Sequence, residues 1–276
     1  MKPQDTNLNH ILTFNISVAD REFINKTSQP FQIMPARTGW LTDKMIDSYM
    51  KNESEHNILI HTSYITRVFS SKENAEKLLQ QYIKLAHKLN TKYILVHGPY
   101  SSKECEFFDH GLELLQKLTK ANPDIKFVVE IPAFTKELIK KTDHLLDYID
   151  KYIGKIVKSG FEVVIDTAHT FNNCLSNEEV IGLVKAYSES ITWIHFNGNL
   201  NVIASKDHHC PMYDKNNLIP DPVRFTKELL KVVKNDTIFV SETVNNDLKK
   251  WLKFCEDTGL KLVEKSILFH VEKEER

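Results

Sequence analysis

Five of the chain's twelve histidines, His61, His97, His169, His195 and His209, stand at the end of an apolar β-type run or in the loop just after one. The other seven, His10, His56, His87, His110, His144, His208 and His270, fall in helix-like stretches, the tail or ordinary loops. Carboxylates close such runs in the same way: Glu130 ends Phe127-Val-Val-Glu, Asp166 ends Val163-Val-Ile-Asp, and Glu242 ends Ile238-Phe-Val-Ser-Glu. A lone histidine is most often a hydrogen-bonded or surface ring; the clustering at run ends is what departs from that. A carboxylate directly after an apolar run needs a salt bridge, hydrogen bonds or a metal ion to offset its desolvation. Imidazole and carboxylate without thiolate suit zinc or manganese in a catalytic rather than a structural setting. Two local patterns add to this. Asp166-Thr-Ala-His169 sets a carboxylate on a strand end and an imidazole one turn later, and Asp207-His-His209 places Asp and His on one side of an extended loop.

The elements that must position these groups follow from hydrophobic period. Strand-like runs occur at Leu12–Val18, Pro30–Met34, Asn57–His61, Tyr93–His97, Phe127–Ile131, Glu162–Asp166, Thr192–Phe196 and Thr237–Glu242. Several are almost continuously apolar, as parallel strands covered on both faces should be. Between them lie amphipathic segments with helix-start chemistry: Ser70-x-x-Glu73 and Ser176-x-x-Glu179 as capping boxes, and Asp221-Pro222 as a cap followed by proline at the first helical position. Further helices are expected at Thr38–Met50, Phe107–Ala121, Lys136–Ile156 and Asn246–Thr258, the last stopped by Gly259. Eight strand–helix repeats in about 250 residues predict an α/β fold, a (β/α)8 TIM barrel, in which all strand ends converge on one face. A doubly wound open sheet is the runner-up, but no GxGxxG or Walker-type loop follows the first strand and the chain holds 8 glycines in all. No linker or low-complexity tract interrupts the pattern, so residues 1–276 are expected to form a single barrel domain with its metal site at the C-terminal strand ends.

At 276 residues, with 41% hydrophobic and 26% charged positions, the composition is that of a globular protein and excludes disordered, collagen-like and disulfide-scaffold classes. The net charge of −1 gives no global electrostatic case for nucleic acid or membrane, though a local basic patch stays open. No run of 18 apolar residues occurs, so no membrane role is expected. Cys105, Cys174, Cys210 and Cys255 are widely spaced, without a CxxC pair or a signal-like N-terminus, which predicts a reducing, intracellular setting in cytoplasm or nucleus.

In this order and spacing the residues resemble the endonuclease IV family of apurinic/apyrimidinic (AP) endonucleases, the AP endonuclease family 2. The resemblance rests on His61-Thr-Ser-Tyr-Ile, Val96-His97, Val129-Glu130, Ile165-Asp166-Thr-Ala-His169, Ile194-His195-Phe-Asn197, Asp207-x-His209 and Ser241-Glu242-Thr243, about two thirds of the chain. It implies a xylose-isomerase-like barrel with three zinc ions: one held by His61, His97 and Glu130, a second by Glu130, Asp166, His195 and Glu242, and a third by His169, Asp207 and His209. Glu130 would bridge two ions and orient the attacking hydroxide. The implied reaction is hydrolysis of the phosphodiester 5′ to an abasic site in duplex DNA, leaving a 3′-hydroxyl, in base excision repair. The resemblance also implies that Arg37, Tyr64 and Ile65 enter the minor groove and support flipping of the abasic nucleotide, and that the protein acts as a monomer. Against the family pattern, Asn197-Gly198-Asn199 stands where Asn-Asp-Ser is usual, His208 separates Asp207 and His209 where Arg is common, and Cys210-Pro-Met-Tyr-Asp replaces a Gly-rich stretch. Asn172-Asn173 and Ile131 also differ. These departures spare the ligand positions and fit a viral or otherwise fast-evolving member.

Two other functions compete. A sugar isomerase or epimerase of the xylose-isomerase-like group would use Glu130, Asp166, His195 and Glu242 around one or two divalent ions, with no need of His61, His97, His169, Asp207 and His209 together. A catalytically silent DNA-binding barrel would leave strand-end carboxylates without compensation.

Overall fold

The computed structural model describes residues 10–16, 30–36, 39–49, 51, 57–70, 74–200, 208–243 and 247–263. All eight expected strands form: β1 (Ile11–Ile16), β2 (Phe31–Ile33), β3 (Ile58–His61), β4 (Tyr93–His97), β5 (Lys126–Ile131), β6 (Glu162–Asp166), β7 (Trp193–His195) and, as eighth barrel strand, β10 (Ile238–Ser241). Each pairs in parallel with the next, and β10 returns to β1 with Ile11 opposite Ile238 and Phe14 opposite Ser241, which closes the sheet. A short pair, β8 (Gly198–Asn199) and β9 (His209–Cys210), forms a separate antiparallel hairpin after β7. β11 (Lys261–Leu262) runs beside the start of β1. Because β2 pairs with β1 only at Asn15 and Ile16, β11 supplies partners for the lower part of β1 that this three-residue strand does not reach.

Side-chain alternation divides each strand between two cores. Leu59, Tyr93, Leu95, Val128, Val164, Trp193, Ile238 and Val240 fill the barrel interior, while the alternate residues, such as Ile60, Ile94, Val129, Ile165 and Ile194, pack outward beneath the helices. The helix Ala75–Leu89 buries Leu78, Leu79, Tyr82, Ile83, Leu85, Ala86 and Leu89 on one face, as its period requires.

The helix ends mostly follow their expected chemistry. Ser176 and Glu179 make a reciprocal capping box, Asp221 accepts from Arg224 N–H ahead of Pro222, and Gly259 ends Leu248–Thr258 at φ 90°. Two expectations need correction, and a third falls partly outside the described residues. Ser70 donates its hydroxyl to the Arg67 carbonyl and the helix is described from Ala75 after Asn74; Glu73, the other half of the expected capping box, lies outside the described residues. The segment Thr38–Met50 is helical only over Asp43–Asp47, because Thr42 takes the cap position and accepts from Met45 N–H. The span Lys136–Ile156 divides into Lys136–Lys141 and Leu145–Lys158. Thr142, in extended backbone, turns its hydroxyl back to the Leu138 carbonyl and ends the first helix.

Candidate metal centre

The parity that fills the interior also builds the site. One step beyond Leu59, Leu95, Val128, Val164, Trp193 and Val240 on the same inward face come His61, His97, Glu130, Asp166, His195 and Glu242. Register sets neighbours opposite one another, His97 beside Glu130 and Asp166 beside His195. Gly98 permits the close approach after β4: its N–H reaches the Glu130 carbonyl at 3.0 Å, and a Cβ there would lie 2.8 Å from that oxygen and 2.0 Å from the Tyr152 hydroxyl.

Glu130, 1% exposed, is the hub. Its Oε1 lies 2.8 Å from His195 Nδ1 and 3.5 Å from His169 Nδ1, and its Oε2 lies 3.7 and 3.6 Å from the Nε2 atoms of His61 and His97. Glu242 stands 3.2 Å from His195 Nδ1 and 3.8 Å from His61 Nε2. Asp166 uses Oδ1 to accept from the Ala168 and His169 N–H groups, capping the short helix Thr167–Asn172 and fixing where His169 leaves it. Its Oδ2 is thereby turned toward His209 Nε2, 3.6 Å away. His209 reaches the site on the β8–β9 hairpin, with Asn199 opposite it and the Asn199 N–H donating to Asn217 Oδ1.

Charge and burial oppose one another here. Burial acts against the protonated form of His195, but Glu242, Glu130 and Asp166 outweigh it and raise its pKa to about 9. Burial likewise acts against ionisation of Glu130 and Glu242, yet the imidazoles, His195 foremost, hold both below the ordinary carboxylate range. His61 is lowered by burial, and His97 is lowered to about 3, by burial and then by His61. Ionised carboxylates beside the neutral imidazoles of His61 and His97 present lone pairs to a cation, and a bound cation would take the place of the proton that the carboxylates hold on His195.

Donor set and geometry fit a divalent metal. Ligand atoms of His61, Glu130 and His195, of Glu130, Asp166, His195 and Glu242, and of Asp166, His169 and His209 form three groups, each within 4.8 Å. Glu130 Oε2 is buried and accepts no hydrogen bond from the described residues, a position that a metal would fill.

The three groups take in His61, Glu130, Asp166, His169, His195, His209 and Glu242; His97 is in none of them, and His195 stands in its place beside His61 and Glu130, but the His97 Nε2 lies 3.6 Å from Glu130 Oε2. Asp207 and Arg37 lie outside the described residues. Tyr64 is 49% exposed and stacks on His97, with ring centroids 4.4 Å apart and planes inclined by 26°. Its loop is anchored where Ser63 N–H donates to the Tyr82 hydroxyl. Ile65 is half-buried beside it.

Two residues hold ligands in a role that the sequence does not assign to them. Gln32 donates to Glu242 Oε1 at 2.7 Å and contacts His195 Nε2 through its Oε1 at 2.8 Å. Asn197 donates to Asp166 Oδ2 at 2.8 Å and accepts from Glu242 N–H at 2.9 Å. A signal existed for the first, since Gln32 is the one polar side chain in Phe31-Gln32-Ile33.

Among solved structures, endonuclease IV from Thermus thermophilus is 17% identical with a TM-score of 0.60, over 90% of this chain and 97% of that one. A xylose isomerase domain protein from Planctomyces limnophilus is 12% identical with a TM-score of 0.57, over 91% and 97%. The IOLI protein with a binding zinc atom is 12% identical with a TM-score of 0.55, over 93% and 94%. At these identities the likeness is one of fold. No curated protein matches the sequence. No helix among the described residues is long and apolar enough to cross a membrane. Residues 32–253 match the family described as xylose isomerase-like TIM barrel, and with the closed eight-stranded barrel this places the chain in that family.

Proposed function

We propose that the protein is a zinc-dependent AP endonuclease that hydrolyses the phosphodiester 5′ to an abasic site in duplex DNA, as a monomer inside the cell. The observation that carries this reading is the number of ligand-type groups at one barrel mouth. Glu130, Asp166, His195 and Glu242 would suffice for an isomerase with one or two ions; His61, His97, His169 and His209 converge on the same mouth as well. The fold shared with endonuclease IV from Thermus thermophilus supports it.

In this reading His61, His97 and Glu130 hold one ion, Glu130, Asp166, His195 and Glu242 a second, and His169 and His209 with Asp207 a third. Zinc bound there supplies Lewis acidity that lowers the pKa of water and neutralises charge at a phosphodiester. The protein's own contribution is arrangement. Glu130 joins two of the three groups, Asp166 spends one oxygen on a helix cap so that the other faces the mouth, and Tyr64 covers His97 at the rim. Tyr64 and Ile65, with Arg37, are the proposed DNA contacts.

The test is incision of a duplex containing one tetrahydrofuran abasic analogue, before EDTA, after EDTA and after zinc is restored, alongside zinc content per chain. That analogue cannot undergo β-elimination, so a nick with a 3′-hydroxyl that EDTA abolishes and zinc restores supports hydrolysis, and about three zinc per chain supports the ligand assignment. Bound metal without a nick turns the reading toward a sugar isomerase or epimerase. Absence of both sinks it.

A further inference from the structure

The metal-facing nitrogen of an imidazole ligand is decided by what its other nitrogen touches. Backbone carbonyls do this for two histidines of the site: His61 donates Nδ1–H to the Thr62 carbonyl at 2.9 Å, and His169 donates Nδ1–H to the Ile131 carbonyl at 3.1 Å. In His195 the partner is a side chain. Its Nε2 lies 2.8 Å from Gln32 Oε1, while its Nδ1 faces Glu130, Glu242 and Asp166.

The orientation of the Gln32 amide is fixed by chemistry. Its other end lies 2.7 Å from Glu242 Oε1, and a carboxylate oxygen accepts but does not donate. The amide nitrogen must therefore face Glu242 and the amide oxygen must face His195. An amide oxygen only accepts, so His195 must carry a proton on Nε2; when a metal takes the place of the proton on Nδ1, that nitrogen among the three carboxylates is the ligand atom. Gln32 is fully buried and lies on β2, opposite Asn15 in register. It is 163 residues from His195 and 210 from Glu242 in sequence.

We infer that Gln32 is a positioning residue of the metal centre: one amide orients two ligands of the same ion, setting the His195 tautomer through its oxygen and the Glu242 carboxylate through its nitrogen. The inference rests on the metal-centre part of the proposed function and is independent of whether the substrate is DNA.

The experiment is a zinc titration against a competing chelator on wild-type protein and on Gln32→Leu, which keeps much of the volume and removes both polar contacts. The expected result is a loss of about 10- to 100-fold in affinity for one zinc per chain, with the remaining zinc bound as in wild type. Equal affinity in both proteins overturns the inference while leaving the metal centre in place. Failure of wild-type protein to bind zinc overturns both. A second measurement needs no variant and guards against misfolding of Gln32→Leu. Long-range proton–nitrogen correlation spectra of zinc-loaded, histidine-labelled protein should show His195 protonated at Nε2 and metal-bound at Nδ1; the opposite tautomer overturns the inference.

Discussion

Asn197 grips Glu242 at both ends: its side-chain oxygen accepts the Glu242 N–H at 2.9 Å, and its amide nitrogen lies 3.3 Å from Glu242 Oε2. The same nitrogen reaches Asp166, and Thr167 pins Asn197 in turn by donating from its hydroxyl to the Asn197 carbonyl at 2.6 Å. Two strand-end carboxylates 76 positions apart in the chain are thus held in one frame by a residue outside the ligand set. Asn197→Ala should destabilise the fold by about 1–3 kcal/mol, because it leaves the part-buried Glu242 N–H without its acceptor, and should weaken zinc binding by about 10- to 100-fold. Urea denaturation and chelator competition measure the two effects separately.

Glu130→Gln keeps shape but removes the charge on which four imidazoles converge. Incision of the abasic analogue should fall at least about 100-fold, and zinc per chain should drop, since the residue belongs to two ligand groups. Full activity with normal zinc content would remove Glu130 from the centre.

Tyr64 is half-exposed on the rim and stacks its ring on His97. Tyr64→Ala should leave zinc content unchanged while weakening binding of the abasic duplex by about 1–3 kcal/mol, the range of a base-stacking contact. Tyr64→Phe should bind nearly as wild type. Equal binding by all three proteins would return Tyr64 to a rim role.

Zinc should stabilise the protein markedly. The buried Glu130 and Asp166 side chains and the nearby Glu242 concentrate negative charge that metal offsets. Thermal unfolding with EDTA and with added zinc should differ by several degrees or more, and calcium in place of zinc should have a smaller effect because the histidine-rich donor set disfavours it.

His10, buried edge-on against Phe239, gives a pH signature away from the metal centre. Burial holds its imidazole below the ordinary value near 6.5, with Leu230 and Asp236 opposing in part. The unfolded chain therefore binds this proton at higher pH than the native protein, and stability falls as pH drops below about 6.5 until the folded pKa is passed. His10→Leu should lose less stability between about pH 7.5 and about pH 5.5 than wild type, read as the difference in urea midpoints.

The strand pattern and the inward-facing strand-end ligands were legible in the sequence, because alternation is a local property: once Leu59, Val128 and Trp193 face inward, His61, Glu130 and His195 must do so too. Capping chemistry at Ser176 and Asp221 was legible for the same reason, being settled within three or four residues. The tertiary structure decided what local period does not encode. It showed that Thr142 breaks one expected helix into two. It also brought Gln32 and Asn197 to the ligands. The role of neither can be read from the sequence, because their partners lie 31 to 210 residues away, and only closure of the barrel, joining β10 back to β1, brings the β2 amide against the ends of β7 and β10.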